Sequence, residues 1–212
     1  MRNAIMAAVL AGGGLFGATP SGLAHDMHQH AMGTDAAAKA AQVTVHDIGL
    51  VERDGRPVRF KSEAVGDRIV VLDFIYTRCT TICPVTSAVF AEVQQRLSER
   101  LGQAFGRDVE LISLSIDPAT DTPERLNDYA QHFGIAAGWL WLTGDKPQVN
   151  KVLAGLGAYS PDFERHSGAI LVGDGLRGDW TRFYGIPDPA VLVSHVERLL
   201  AARGPASVSG LR

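Results

Sequence analysis

Residues 73–87, DFIYTRCTTICPVTS, hold the only two cysteines of the 212-residue chain, Cys79 and Cys83, separated by three residues. Just before them, DRIVVLDFIYT (67–77) is a continuous apolar run rich in β-branched residues, as a strand buried on both faces requires. Just after them, Pro84 suits the first turn of a helix, and VTSAVFAEVQQRLSERL (85–101) places Val85, Val89, Val93 and Leu97 at helical spacing. The thiols therefore sit where a buried strand passes into a helix. The positive end of the helix dipole and its unpaired N–H groups favour a thiolate there, and thiolates are both nucleophiles and soft metal ligands.

Working outward, VELISLSID (109–117) reads as a second strand, and Thr122-Pro123-Glu124 caps and opens a helix to about Gly134. WLWLTG (139–144) is a short strand and KPQVNKVLAGLG (146–157) a helix ended by glycine. GAILVGD and DWTRFYG read as strands flanking the turn at Gly175 to Gly178, and PAVLVSHVERLLAAR is a closing helix. Upstream, VTVHDIGLVERDGRPVRF (43–60) alternates around Asp54-Gly55 and reads as a β-hairpin laid before the main fold. The order predicts an α/β domain over 43–203, a mixed sheet flanked by helices with an added N-terminal hairpin, and a frayed tail over 204–212.

The N-terminus has other features. Arg2, an apolar run from Ala4 to Ala18 and small residues at Gly22-Leu23-Ala24 have the anatomy of a secretory signal peptide over 1–24, too short and glycine-rich for a strong membrane anchor. It implies export to the periplasm, or membrane association if the segment is retained. Residues 25–42 read as a disordered tail and spacer that crowds His25, Met27, His28, His30 and Met32 into eight residues, a composition suited to metal capture. The charge, 20 basic against 23 acidic residues, does not suggest nucleic acid. No glycine-rich phosphate loop, catalytically spaced carboxylate pair or serine–histidine arrangement supports a nucleotide enzyme or hydrolase.

Three uses of the cysteine pair compete: a structural disulfide, a thioredoxin-like dithiol oxidoreductase and a copper-binding module. A three-residue loop gains little from a disulfide, and a staple has no reason to sit on a strand-to-helix junction. Oxidoreductases of thioredoxin fold typically space their cysteines by two residues and place a proline just before a later strand. Here the loop before GAILVGD is PDFERHSG, and the residue nearest that strand with chemistry to offer is His166.

YTRCTTICP, SIDPATDTPE and ERHSGAILVGD, in that order, resemble the Sco/SenC copper metallochaperones, which assemble the dinuclear copper A centre of cytochrome oxidase. The resemblance runs from about Val43 to Leu200 and implies a thioredoxin-like core whose copper site is built from Cys79, Cys83 and His166. Two thiolates suit Cu(I), and an added imidazole lets the site hold Cu(II) as well. Asp117, which ends the strand beside the one leading to Cys79, is a secondary candidate to orient a ligand or bind Cu(II). The implied client is cytochrome c oxidase subunit II or another copper protein, with a thioredoxin-like reductant or another copper chaperone upstream. Cys79 and Cys83 are also the catalytic residues of the alternative, a general periplasmic thiol–disulfide reductase with incidental copper binding. The chain departs from many members in having Thr80-Thr81-Ile82, without proline, between the cysteines. His46, His132 and His195 lack partners at ligand spacing and read as a hairpin residue and two helix-surface residues; Trp139 and Trp141 share one strand face.

Overall fold

The computed structural model describes residues 37–162 and 168–204. The cysteine-bearing strand, β4 (Ile69–Ile75), is buried along its whole length because it lies in the middle of the sheet. Its odd-numbered side chains Ile69, Val71 and Ile75 enter one apolar cluster and its even-numbered Val70, Leu72 and Phe74 enter another, so each face of the sheet has its own core. The strand β5 (Val109–Ser115) pairs parallel with β4, and β6 (Trp139–Thr143) pairs parallel with β5. On the other flank β7 (Ala169–Asp174) pairs antiparallel with β4, and β8 (Asp179–Tyr184) antiparallel with β7.

Among the described residues, four α-helices cover the sheet: α1 (Ile82–Leu101), α2 (Pro123–Gln131), α3 (Lys146–Gly155) and α4 (Pro189–Ala202). Buried residues of α1, α2 and α4 join the first cluster, and Val149, Val152 and Leu153 of α3 join the second. Sequence punctuation sets their ends. Thr122 accepts the Arg125 N–H at the start of α2, Asp188 accepts the Ala190 N–H at the start of α4, and prolines occupy the first turns of α2, α3 and α4.

The hairpin forms around the expected turn, with Gly55 at φ 86°, between β2 (Gly49–Glu52) and β3 (Pro57–Arg59). β2 pairs antiparallel with β6, so the added hairpin extends the sheet itself. The residues from Val43 to Ile48 are not part of it; they cross the second face, where the Thr44 N–H donates to the Gly155 carbonyl. A π-helical turn, Phe60–Val65, leads from β3 toward β4.

Two expectations require correction. The spacer assigned as disordered to Gln42 contributes a strand, β1 (Ala38–Ala40), paired antiparallel with β8. Its three exposed residues, Ala-Lys-Ala, carry no hydropathy signal, and backbone pairing to the edge of β8 supplies what the side chains do not. The full order is β1-β8-β7-β4-β5-β6-β2-β3. On α1, Val89, Val93 and Leu97 are buried as the spacing requires, together with Cys83, Ser87, Phe90 and Gln94, but Val85 is exposed (42%). The helix enters with Cys83 facing the core, which rotates Val85 outward.

Candidate metal centre

The cysteine loop leaves the C-terminal end of β4, and residues from neighbouring strand ends hold it. Asp121, fully buried, accepts hydrogen bonds through Oδ1 from the Thr77 N–H (3.1 Å) and the Thr77 hydroxyl (2.6 Å), and through Oδ2 from the Ser115 hydroxyl (2.6 Å). The Ser115 Oγ in turn accepts the N–H of Asp117 (3.1 Å), and the Asp121 carbonyl accepts the Thr143 hydroxyl (2.7 Å). One carboxylate thus ties the start of the loop to the end of β5. Burial raises the pKa of Asp121, against the opposing effect of these donors.

Both cysteines are free thiols and both are buried, Cys79 at 5% and Cys83 at 1% exposure. Cys83 is the second residue of α1, and its N–H donates to Cys79 Sγ at 3.3 Å. The geometry therefore separates the two acidities. Burial acts to raise the Cys79 pKa, but donation from the Cys83 thiol and N–H, with help from the N–H and hydroxyl of Thr81, outweighs it and holds the thiol at about 7. Cys83 is pushed far up, first by burial and then by giving its proton to Cys79. Near neutral pH Cys79 is partly ionised while Cys83 keeps its proton, so a thiolate and a thiol, both soft donors, meet at the start of α1.

Asp117 lies beside this loop, nearly buried, and its Oδ2 accepts from Arg78 Nη2 at 2.8 Å, the residue immediately before Cys79. His166 lies outside the described residues. Gly168, the first described residue after it, stands against the cysteine helix: a Cβ placed there would come within 3.3 Å of Ile82 Cγ1. Among the described residues no three His, Cys, Asp or Glu side chains gather as a metal-binding group, so the two thiols are the donor pair the geometry brings together. His25, Met27, His28, His30 and Met32 also lie outside the described residues.

Beneath the thiols is a polar row that the sequence reading passed over. Asp73, Ser113 and Trp141 are register partners across β4, β5 and β6, and Trp139 Nε1 donates to Ser113 Oγ at 3.0 Å. Asp73 is 1% exposed and neither carboxylate oxygen makes a well-formed hydrogen bond. Burial pushes its pKa up to about 7, the nearby Ser113 hydroxyl opposing, and its charge raises that of Cys83. An aspartate inside the apolar run IVVLDFI is the visible signal. The three remaining histidines divide. His132 Nδ1 meets the Tyr129 carbonyl on the surface, and His46 packs against α3 at Gly155. His195, expected at the surface, is half-buried with its ring edge-on to Phe183 (5.3 Å).

A family model, SCO1/SenC, matches residues 36–173, well over half of the chain. The chain belongs to the SCO1/SenC family. The match spans both cysteines, Asp117, Asp121 and His166. A SCO1 homologue of Bacillus subtilis is 34% identical over 101 residues, 47% of this chain and 49% of that protein. The chain thus spans about half the length of that curated relative. Among solved structures, BsSco, a member of the Sco family of cytochrome c oxidase assembly proteins in which a disulfide switch was identified, superposes with a TM-score of 0.62 at 22% identity, covering 76% of this chain and 95% of that one. Arabidopsis thaliana ScoI with copper bound gives 0.60 at 20% identity, over 75% and 98%. At these identities the structural likeness establishes the fold, the thioredoxin-like arrangement of the SCO1/SenC family.

Proposed function

We propose that this chain is an exported copper carrier that serves cytochrome c oxidase assembly, holding copper between Cys79, Cys83 and His166. The observation that carries the reading is the thiolate–thiol pair at the start of α1, Cys79 with a pKa of about 7 and the Cys83 N–H on its sulfur. A thiol whose pKa lies near 7 is substantially ionised at neutral pH and accepts Cu(I) at little further cost, and the second thiol gives up its proton as the metal closes the pair. Softness selects copper in its reduced form, and the imidazole of His166 adds the borderline donor that permits Cu(II). The copper-bound Arabidopsis relative and the oxidase-assembly role of BsSco support this assignment.

In the finer reading, the client is the copper A site of cytochrome c oxidase subunit II, and delivery is ligand exchange: client thiolates and imidazoles displace Cys79, Cys83 and His166 in turn. A second reading draws on the same pair. A low-pKa thiolate beside a high-pKa thiol is also the arrangement of an attacking and a resolving cysteine, so Cys79 can attack a client disulfide and Cys83 release the mixed disulfide. The His and Met stretch from His25 to Met32 is read as an auxiliary copper-capturing segment, and deleting residues 25–34 is expected to leave the principal site intact.

The experiment presents a reduced or an oxidised peptide of a copper A site to the protein. Copper-loaded protein is expected to transfer its metal to the reduced peptide, and metal-free dithiol protein to reduce the oxidised one, with His166→Ala impairing the first and sparing the second. Retention of copper against a reduced client with free thiolates would remove the carrier reading.

A further inference from the structure

The pairing of Arg78 with Asp117 is chemically consequential because of where it stands. Asp117 stands just past the end of β5, beside the cysteine loop: its N–H is held by Ser115 Oγ, Ser115 is held by Asp121, and Asp121 holds Thr77. Its backbone is pinned by this chain of bonds, so the remaining freedom is in the side chain, and that is engaged by Arg78 Nη2 at 2.8 Å. The two ends of the pair differ in environment. The Asp117 side chain is 7% exposed and the Arg78 side chain 57%, so a buried carboxylate is neutralised by a guanidinium that reaches it from the surface.

We propose that Arg78 selects the oxidation state of the bound metal by withholding the Asp117 carboxylate from it. The inference rests on the copper-carrier reading above. A carboxylate oxygen is a hard donor that stabilises Cu(II) far more than Cu(I), whereas two thiolates favour Cu(I). With Asp117 turned to Arg78, the donors offered to copper are soft sulfur and imidazole alone. Releasing the carboxylate converts a Cu(I)-preferring site into one that also retains Cu(II). Arginine suits this role better than lysine, because its fixed charge and planar fork hold a carboxylate in one orientation. No electron moves in the proposal; it concerns which of two preformed oxidation states the site holds more tightly.

The test is a double-mutant cycle on the full chain. Cu(I) and Cu(II) affinities and the Cu(II) electron paramagnetic resonance spectrum are measured for the wild type, Arg78→Ala, Asp117→Asn and the double variant. Arg78→Ala is expected to raise Cu(II) affinity relative to Cu(I) by about tenfold or more, the range for changing a metal's supporting shell, which for a one-electron couple lowers the potential by about 59 mV. The resonance spectrum should shift toward added oxygen ligation. Asp117→Asn alone should change these quantities little, yet in the Arg78→Ala background it should reverse both, and Arg78→Lys should lie between wild type and alanine. Equal effects of Asp117→Asn with and without Arg78 would mean that the two residues act only as independent charges, and would overturn the proposal. Failure of every variant, the wild type included, to bind copper would instead remove the carrier reading beneath it.

Discussion

Replacing Asp73 with asparagine should reverse part of the pH dependence of stability. In the folded chain the carboxyl holds its proton to about pH 7, against 3.8 for an unperturbed aspartate, with burial the dominant cause. Between those values the folded state keeps a proton that the unfolded state has released, so stability falls as pH rises and levels off above pH 7. A gap of roughly three pKa units corresponds to about 4 kcal/mol. Asp73→Asn keeps the shape and removes the ionisation, so its stability lacks this loss. Glu110, also buried and raised to about 7, produces a similar decline in both proteins and cancels in the comparison. The assay is urea unfolding of reduced, metal-free protein at pH 4 and pH 8. With a slope of about 2 kcal/mol per molar urea, the midpoint of the variant relative to wild type should rise by about 2 M between the two pH values. An unchanged relative midpoint would show that Asp73 ionises normally and that the polar row beneath the thiols is solvated.

Three further outcomes follow from the same contacts. Thiolate absorbance of the reduced protein should show one titration with a midpoint near pH 7, assigned to Cys79 by its loss in Cys79→Ser, and Cys83→Ala should move that midpoint upward because it removes a donor to the Cys79 sulfur. Asp121→Ala should cost about 2–4 kcal/mol in denaturant unfolding, since it leaves the Ser115 and Thr77 hydroxyls without their shared acceptor. Arg203→Ala should cost about 3–5 kcal/mol, because the side chain of Asp174, fully buried, would lose both guanidinium contacts that tie the end of α4 to β7.

The fold was legible where hydropathy and punctuation agreed. The buried run before Cys79, the capped start of α2 and the Asp54-Gly55 turn each announce an element through side-chain chemistry. β1 was not legible, since Ala38–Ala40 pairs through its backbone and presents no pattern of its own. The direction of Cys83 relative to Val85 depends on how α1 settles on the sheet, which helical spacing alone does not determine. At the site, the two cysteines announced themselves, but their difference in acidity follows from donors on Cys83 and Thr81 that reach the Cys79 sulfur and from the burial of Cys83. The holding role of Asp121 was hidden because SIDPATDTP reads locally as a turn and cap, whereas its bonds run to Thr77, forty-four residues earlier.

In the cysteine segment β4 delivers the loop, Asp121 fixes it, the start of α1 polarises the pair, and the sulfurs are left ready for a soft ion. The direct test is titration of the reduced protein with Cu(I) and Cu(II), beside His166→Ala and the Cys79→Ser, Cys83→Ser double variant. One tightly bound copper per chain is expected in the otherwise wild-type protein after the 25–34 segment is deleted, with weaker Cu(II) retention in His166→Ala and no tight copper in the double serine variant. Copper binding by the double serine variant equal to that of the wild type would contradict the carrier reading.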